Sequence, residues 1–190
     1  MRLFVAVDVP PGAGAHLWAA LPVGTRWIPA QRWHLTLAFL GEVSAGRVPP
    51  LLSALDRLAG ALHPVPLRLS GAGTFRTGRG SGVVWIGVDG EALTGWAGAV
   101  RSAVAGTGLT VAPGEFRAHL TVARWRAGVR PEVTALASYA GPAWTAERID
   151  LIRSHLGAQQ RYETLGSWGI QTSARGAPLS LPADQEGRVP

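Results

Sequence analysis

Apolar and polar positions along the first 170 residues alternate in two rhythms, one of strands and one of helices. Leu3–Val9 is a short, nearly continuous apolar run closed by Pro10 and Pro11, which predicts a buried first strand. Pro11–Leu21 reads as a short helix with proline at its start. Trp33–Leu40 (WHLTLAFL) predicts a strand ended by Gly41. Arg47–Leu62 sets Leu51, Leu52, Leu55, Leu58 and Leu62 along one side at helical spacing. Val65–Ser70 and Val83–Val88 predict two strands joined by a glycine- and arginine-rich loop, Gly71–Gly82, and Glu91–Ala105 a second main helix. Phe116–Trp125 predicts a strand, Pro131–Tyr139 a helix, and Ala146–Ser154 and Arg161–Ile170 two closing strands. Residues 171–190 are rich in Pro, Gly, Ser and Ala and are expected to form a tail behind a domain spanning 1–170.

Within this order one pattern occurs twice. WHLTLAFL and AHLTVARW share His-Leu-Thr followed by an aliphatic residue and alanine, with His34 and His119 85 residues apart. Each copy sits in its own run of strands and helices, which suggests a duplicated half-domain. The expected fold is α+β: two similar lobes with antiparallel-dominated sheets flanked by helices, the motif strands facing each other across a central cleft.

On a strand, residues i and i+2 project together. His34 therefore shares a face with Thr36, and His119 with Thr121, while Leu35, Leu37 and Phe39 in one copy and Leu120 and Val122 in the other turn to the core. Two such strands at one cleft supply two imidazoles and two hydroxyl donors. That set suits phosphodiester hydrolysis without a metal. A neutral histidine takes a proton from the attacking water, and a protonated one delivers a proton to the leaving oxygen. An unperturbed pKa near ~6.5 allows both roles at neutral pH. The threonine hydroxyls can donate to the non-bridging phosphate oxygens. The residues alone do not fix which histidine is acid and which is base.

Composition adds to this picture in two places. Cysteine is absent, which excludes a disulfide framework and a thiolate metal site. The net charge is +6, from 18 basic residues that are all arginine, against 12 carboxylates. Arg175 and Arg188 offset Asp184 and Glu186 in the tail, so the excess belongs to the folded part, as suits a polyanionic partner. No carboxylate lies within either motif to complete a zinc sphere around His34 and His119, so no metal is expected. The opening MRLFVAVDVP is interrupted by Asp8 and reads as a strand rather than a secretory leader, no apolar stretch reaches membrane-spanning length, and a cytoplasmic location is expected.

The sequence resembles the two-histidine phosphoesterase superfamily and, within it, the LigT-like RNA 2′,3′-cyclic phosphodiesterases, historically called 2′-5′ RNA ligases. The resemblance runs from Arg2 to about Ile170, through RLFVAVDVP, HLTLAFLG, GAGTF, FRAHLTVAR and LIRSHLGAQQRYETL. Two departures are local: Ala118 stands where the family commonly has proline, and Gly157-Ala158 followed by Gln159-Gln160 replaces the usual proline-glycine turn. The resemblance implies opening of a terminal 2′,3′-cyclic phosphate on RNA to a 2′-phosphomonoester, with His34 as proton donor and His119 as proton acceptor. It implies no metal or nucleotide cofactor, and weak reverse 2′-5′ ligation. RNA with a cyclic phosphate end is the expected partner, with no membrane and no obligate protein partner. The rivals are a related phosphodiesterase acting on other cyclic nucleotides or 2′-5′-linked oligonucleotides, and a non-catalytic RNA-binding module.

Arg124 matches an arginine the family often has after the second motif and suits a bidentate phosphate contact. Strict alternation turns it away from His119, so the strand must twist or end for it to reach the cleft. Phe39, Phe75, Trp85 and Phe116 are expected in the core, with Phe116 the candidate among them for base stacking. Arg76 and Arg79 either touch an RNA backbone or sit in a solvated loop. His16, His63 and His155 have no threonine two residues on and are read as structural.

Overall fold

A computed structural model describes residues 1–126, 130–155 and 161–171. The chain runs β1 (Arg2–Asp8), α1 (Pro11–Ala20), β2 (His34–Glu42), α2 (Val48–Ala59), β3 (Val65–Gly78), β4 (Ser81–Asp89), α3 (Ala92–Ala105), β5 (His119–Trp125), β6 (Ala140–Ala146), β7 (Arg148–His155) and β8 (Arg161–Gly169). The α+β class follows, with every strand pairing antiparallel.

The strands form one hydrogen-bonded order, β6-β3-β4-β5-β2-β1-β7-β8. Each motif strand is the inner edge of a four-stranded half, and the halves meet where β2 pairs β5 at a single register position, Leu35 opposite Leu120. The sheet is thus continuous but nearly severed at its centre, which leaves the two motif strands side by side and diverging.

The core explains the helices. In α2, Leu51, Ala54, Leu55 and Ala59 are buried, a spacing that closes one helical face. In α3, Leu93, Trp96, Ala97, Val100 and Val104 do the same, and the Trp96 indole N–H donates to the His63 carbonyl at 3.2 Å. Both helices cover the sheet face that carries Leu35, Leu37, Leu120 and Val122, all at most 3% exposed. Each such leucine contributes about 1.5–3 kcal/mol by leaving water. The helices therefore fix which face of β2 and β5 is closed, and so which face carries histidine and threonine.

Three sequence expectations change. The loop at Gly71–Gly82 is mostly strand: β3 runs on to Gly78 and pairs with β4 down to Ser81, leaving Arg79 and Gly80 at a tight tip where Gly80 has φ +66°. Its glycines hid the strand rhythm. Pro131–Tyr139 holds only one 3-10 turn, Thr134–Leu136, of which Leu136 alone is buried. The segment after it is an unforeseen edge strand, β6, which pairs with β3 and keeps Pro142 at the sheet edge, where a missing N–H is tolerated. The predicted tail, from residue 172, and the departure at 157–160 lie outside the described residues.

The second glycine of GAGTF, Gly73, has a packing role. Trp85 on β4 lies directly across from Gly73 on β3, and a Cβ at Gly73 would stand 2.2 Å from the Trp85 ring. Gly73→Ala is expected to cost about 1–3 kcal/mol, as overpacking does, and to displace Trp85. Chemical denaturation of the variant checks this, and an unchanged midpoint would show that the indole swings aside freely.

Candidate active site

Both motif strands carry a β-bulge at the same step. Between β1 and β2 the register passes from Ala6 opposite Thr36 to Val5 opposite Ala38, which leaves Leu37 as the extra residue. Between β4 and β5 it passes from Trp85 opposite Thr121 to Val84 opposite Ala123, which leaves Val122 as the extra one. A bulge restarts the alternation of faces. Leu37 and Ala38 are both buried, as are Val122 and Ala123, and the next residue, Phe39 or Arg124, emerges on the face of the histidine and threonine. The twin bulges thus deliver Arg124 to the cleft, where strict alternation would have sent it to the core. They also correct the expectation for Phe39, which is 50% exposed and faces the cleft.

His34, Thr36, His119 and Thr121 line one cavity of about 500 Å³. With Leu35 opposite Leu120, antiparallel pairing sets His34 across from Thr121 and Thr36 across from His119. Each imidazole therefore has the other half's hydroxyl as its neighbour across the seam. The walls add Phe4, Ile28, Phe39, Arg124, Ser154 and Tyr162, and the basic side chains Arg2, Arg32 and Arg126. Among these lining residues there are four arginines and no carboxylate.

The two imidazoles are held alike. His34 Nδ1 lies 3.0 Å from the Arg32 carbonyl, and His119 Nδ1 lies 2.7 Å from the Arg117 carbonyl, in each case two residues back. A carbonyl only accepts, so each ring donates from Nδ1 and keeps Nε2 for the cleft. Nε2 is then a base when the ring is neutral and an acid when it is protonated.

Their packing differs. His34 lies against Phe4 with ring centroids 4.7 Å apart and meets Tyr162 edge-on at 5.1 Å, while the Arg32 guanidinium lies over the Tyr162 ring at 5.6 Å. His119 is met edge-on by Phe75 at 5.2 Å, and Phe75 in turn rests on Trp85. Burial against these rings pushes the His34 pKa down to about 4, the carbonyl at Nδ1 opposes the shift, and the charges of Arg124, Arg32 and His119 add to it. His34 is therefore neutral near pH 7 in the free protein.

Other candidates fall elsewhere. Phe116 packs partly buried against the core and is not among the cleft's lining residues, and Phe75, expected inside, instead abuts His119. Arg76 and Arg79 are exposed at the β3–β4 tip. His16 pairs with the Tyr139 hydroxyl at 3.0 Å and His155 with Glu163 at 2.6 Å. Among the described residues no group of three or more His, Cys, Asp or Glu could hold a metal ion, and no helix is long and apolar enough to cross a membrane. Sequence reasoning missed Phe4, Tyr162, Arg2, Arg32 and Arg126. The first two come from strands on either side of β7 and meet His34 only in the folded sheet, so no local signal marks them.

The LigT like Phosphoesterase family matches residues 15–85, which include the first motif. The chain is 33% identical over 168 residues to the RNA 2′,3′-cyclic phosphodiesterase of Thermus thermophilus, over 82% of this chain and 83% of that one. It is 32% identical over 175 residues to an RNA 2′,3′-cyclic phosphodiesterase of Geobacillus stearothermophilus, over 90% of this chain but 54% of that one, so it spans about half that relative's length. Among solved structures it is similar to a crystal structure from Thermus thermophilus, with a TM-score of 0.75 and 28% identity over 91% of this chain and 100% of that one. It is also similar to Escherichia coli LigT complexed with 3′-AMP, with a TM-score of 0.64 and 28% identity over 90% and 98% of the two chains. With RNA 2′,3′-cyclic phosphodiesterases 32–33% identical along more than four fifths of it, the chain belongs to the LigT-like phosphoesterase family.

Proposed function

We propose that this protein is a hydrolase that opens 2′,3′-cyclic phosphodiester ends of RNA to 2′-phosphomonoesters by two-histidine acid–base catalysis. One observation carries the reading: two imidazoles, each tied at Nδ1 and open at Nε2, share a cavity with two threonine hydroxyls and four arginines, and no carboxylate is among its described lining residues. Relatives named RNA 2′,3′-cyclic phosphodiesterase support the substrate, and the LigT complex with 3′-AMP supports a nucleotide as the kind of ligand.

In this reading His119 Nε2 takes a proton from water as the water oxygen bonds to phosphorus. The P–O3′ bond breaks, and His34 Nε2 gives its proton to the departing 3′ oxygen. Thr36 and Thr121 donate to the non-bridging oxygens, and Arg124 holds their charge. The free imidazole of His34 is neutral near pH 7, so the donor role requires the substrate anion to raise its pKa. A phosphate placed beside Arg124 and Arg32 offsets the very charges that disfavour the imidazolium.

Turnover of an RNA oligonucleotide ending in a 2′,3′-cyclic phosphate tests the reading. Hydrolysis to the 2′-phosphate is expected, without ATP and undiminished in excess EDTA. Activity abolished by chelation and restored by zinc or manganese would sink the two-histidine mechanism, and binding without turnover would favour an RNA-binding module.

A further inference from the structure

From the charge count of the cleft we infer a second phosphate subsite, at Arg126, that holds the phosphodiester upstream of the reacting nucleotide; this rests on the activity proposed above. The reacting cyclic phosphate carries one negative charge, and Arg124 with two threonine hydroxyls already answers it. Yet Arg126 lines the same cavity.

Past the bulge at Val122 the β5 backbone resumes its alternation: Arg124 is exposed, Trp125 is 8% exposed, and Arg126 is exposed again. Arg124 and Arg126 therefore project from the same face, about 6–7 Å apart along the strand. That is roughly the advance of one nucleotide along an extended single strand, so neighbouring guanidinium groups match neighbouring phosphates. Neither arginine is ion-paired among the described residues, whose arginine–carboxylate pairs use Arg117, Arg148 and Arg153. A guanidinium with no acid beside it is available for a bidentate phosphate contact. The consequence is selectivity: the protein should prefer a cyclic phosphate at the end of a chain to the same group on a single nucleoside.

The test compares three substrates: a nucleoside 2′,3′-cyclic phosphate, a dinucleotide ending in that group, and the same dinucleotide with a neutral methylphosphonate at its internal linkage. The charged dinucleotide is expected to have the highest kcat/KM, and the methylphosphonate to fall toward the single nucleoside. Arg126→Ala should lower the dinucleotide-to-nucleoside ratio of kcat/KM about tenfold, in keeping with the loss of one charged hydrogen bond. It should also flatten the salt dependence of dinucleotide KM by about 0.7 in log–log slope, the value for one phosphate of a single strand. Cleavage of the nucleoside substrate with no preference for the dinucleotide would overturn the subsite and leave the activity standing. A ratio unchanged in Arg126→Ala, or a methylphosphonate cleaved as well as the diester, would overturn it too. If none of the three is cleaved, the proposed activity falls and the subsite with it.

Discussion

His34→Ala and His119→Ala are each expected to lose most of the activity, and the double variant to be little worse than either single. A general acid or base contributes roughly 10²–10⁴-fold, and two groups that pass protons through one transition state fail together rather than additively. The pH–rate profile should be bell-shaped, with apparent pKa values that belong to the pair. For the free protein the sign is fixed by burial. His34 sits at about 4, so the lower of the pair's apparent pKa values, the acidic limb of kcat/KM, should lie near pH 4. In the complex the phosphate anion favours the imidazolium, so the acidic limb of kcat should lie at higher pH than that of kcat/KM. Equal limbs would mean that the substrate's charge never reaches His34. A His34→Ala variant with near-normal turnover would make the first motif structural.

Arg124→Ala should lower kcat/KM by roughly 10²–10³-fold, the scale for removing one preorganised donor to a transition-state oxyanion. Arg124→Lys should recover only part of this, because lysine keeps the charge and lacks the planar fork. A second readout separates a cleft cation from a strand-end prop. The Arg124 charge depresses the His34 pKa, so in Arg124→Ala the acidic limb of kcat/KM should move upward from about 4, and in Arg124→Lys it should stay nearer the original. Loss of activity with an unmoved limb and a lowered stability would mark Arg124 as structural only.

Much of this site is legible in the chain because its parts repeat. His-Leu-Thr in two strand contexts marks four polar side chains, and period-2 alternation alone assigns them to one face and Leu35 and Leu120 to the other. The helices α2 and α3 are legible for the same reason, since an apolar stripe at 3.6-residue spacing has to be covered. Arg124 and Phe39 are not legible by that rule. Each lies five residues past its histidine, so alternation puts it on the wrong face, and only the bulges at Leu37 and Val122 turn it back. A bulge is a mismatch between two strands, set by how β1 and β4 pair with their neighbours, and one strand's sequence does not contain it.

The tertiary structure alone also decided the environment of the two histidines. Nothing in HLTL against HLTV distinguishes them. Phe4 and Tyr162 reach His34 from β1 and β8, which flank β7 in the folded sheet and lie far apart in the chain, while His119 meets Phe75 from β3. Desolvation depends on which side chains exclude water from a ring, and that is a property of packing across strands. Sequence therefore determined the identity and facing of the four motif groups. The sheet's order, its twin bulges and its single central bridge decided which charges and rings surround them.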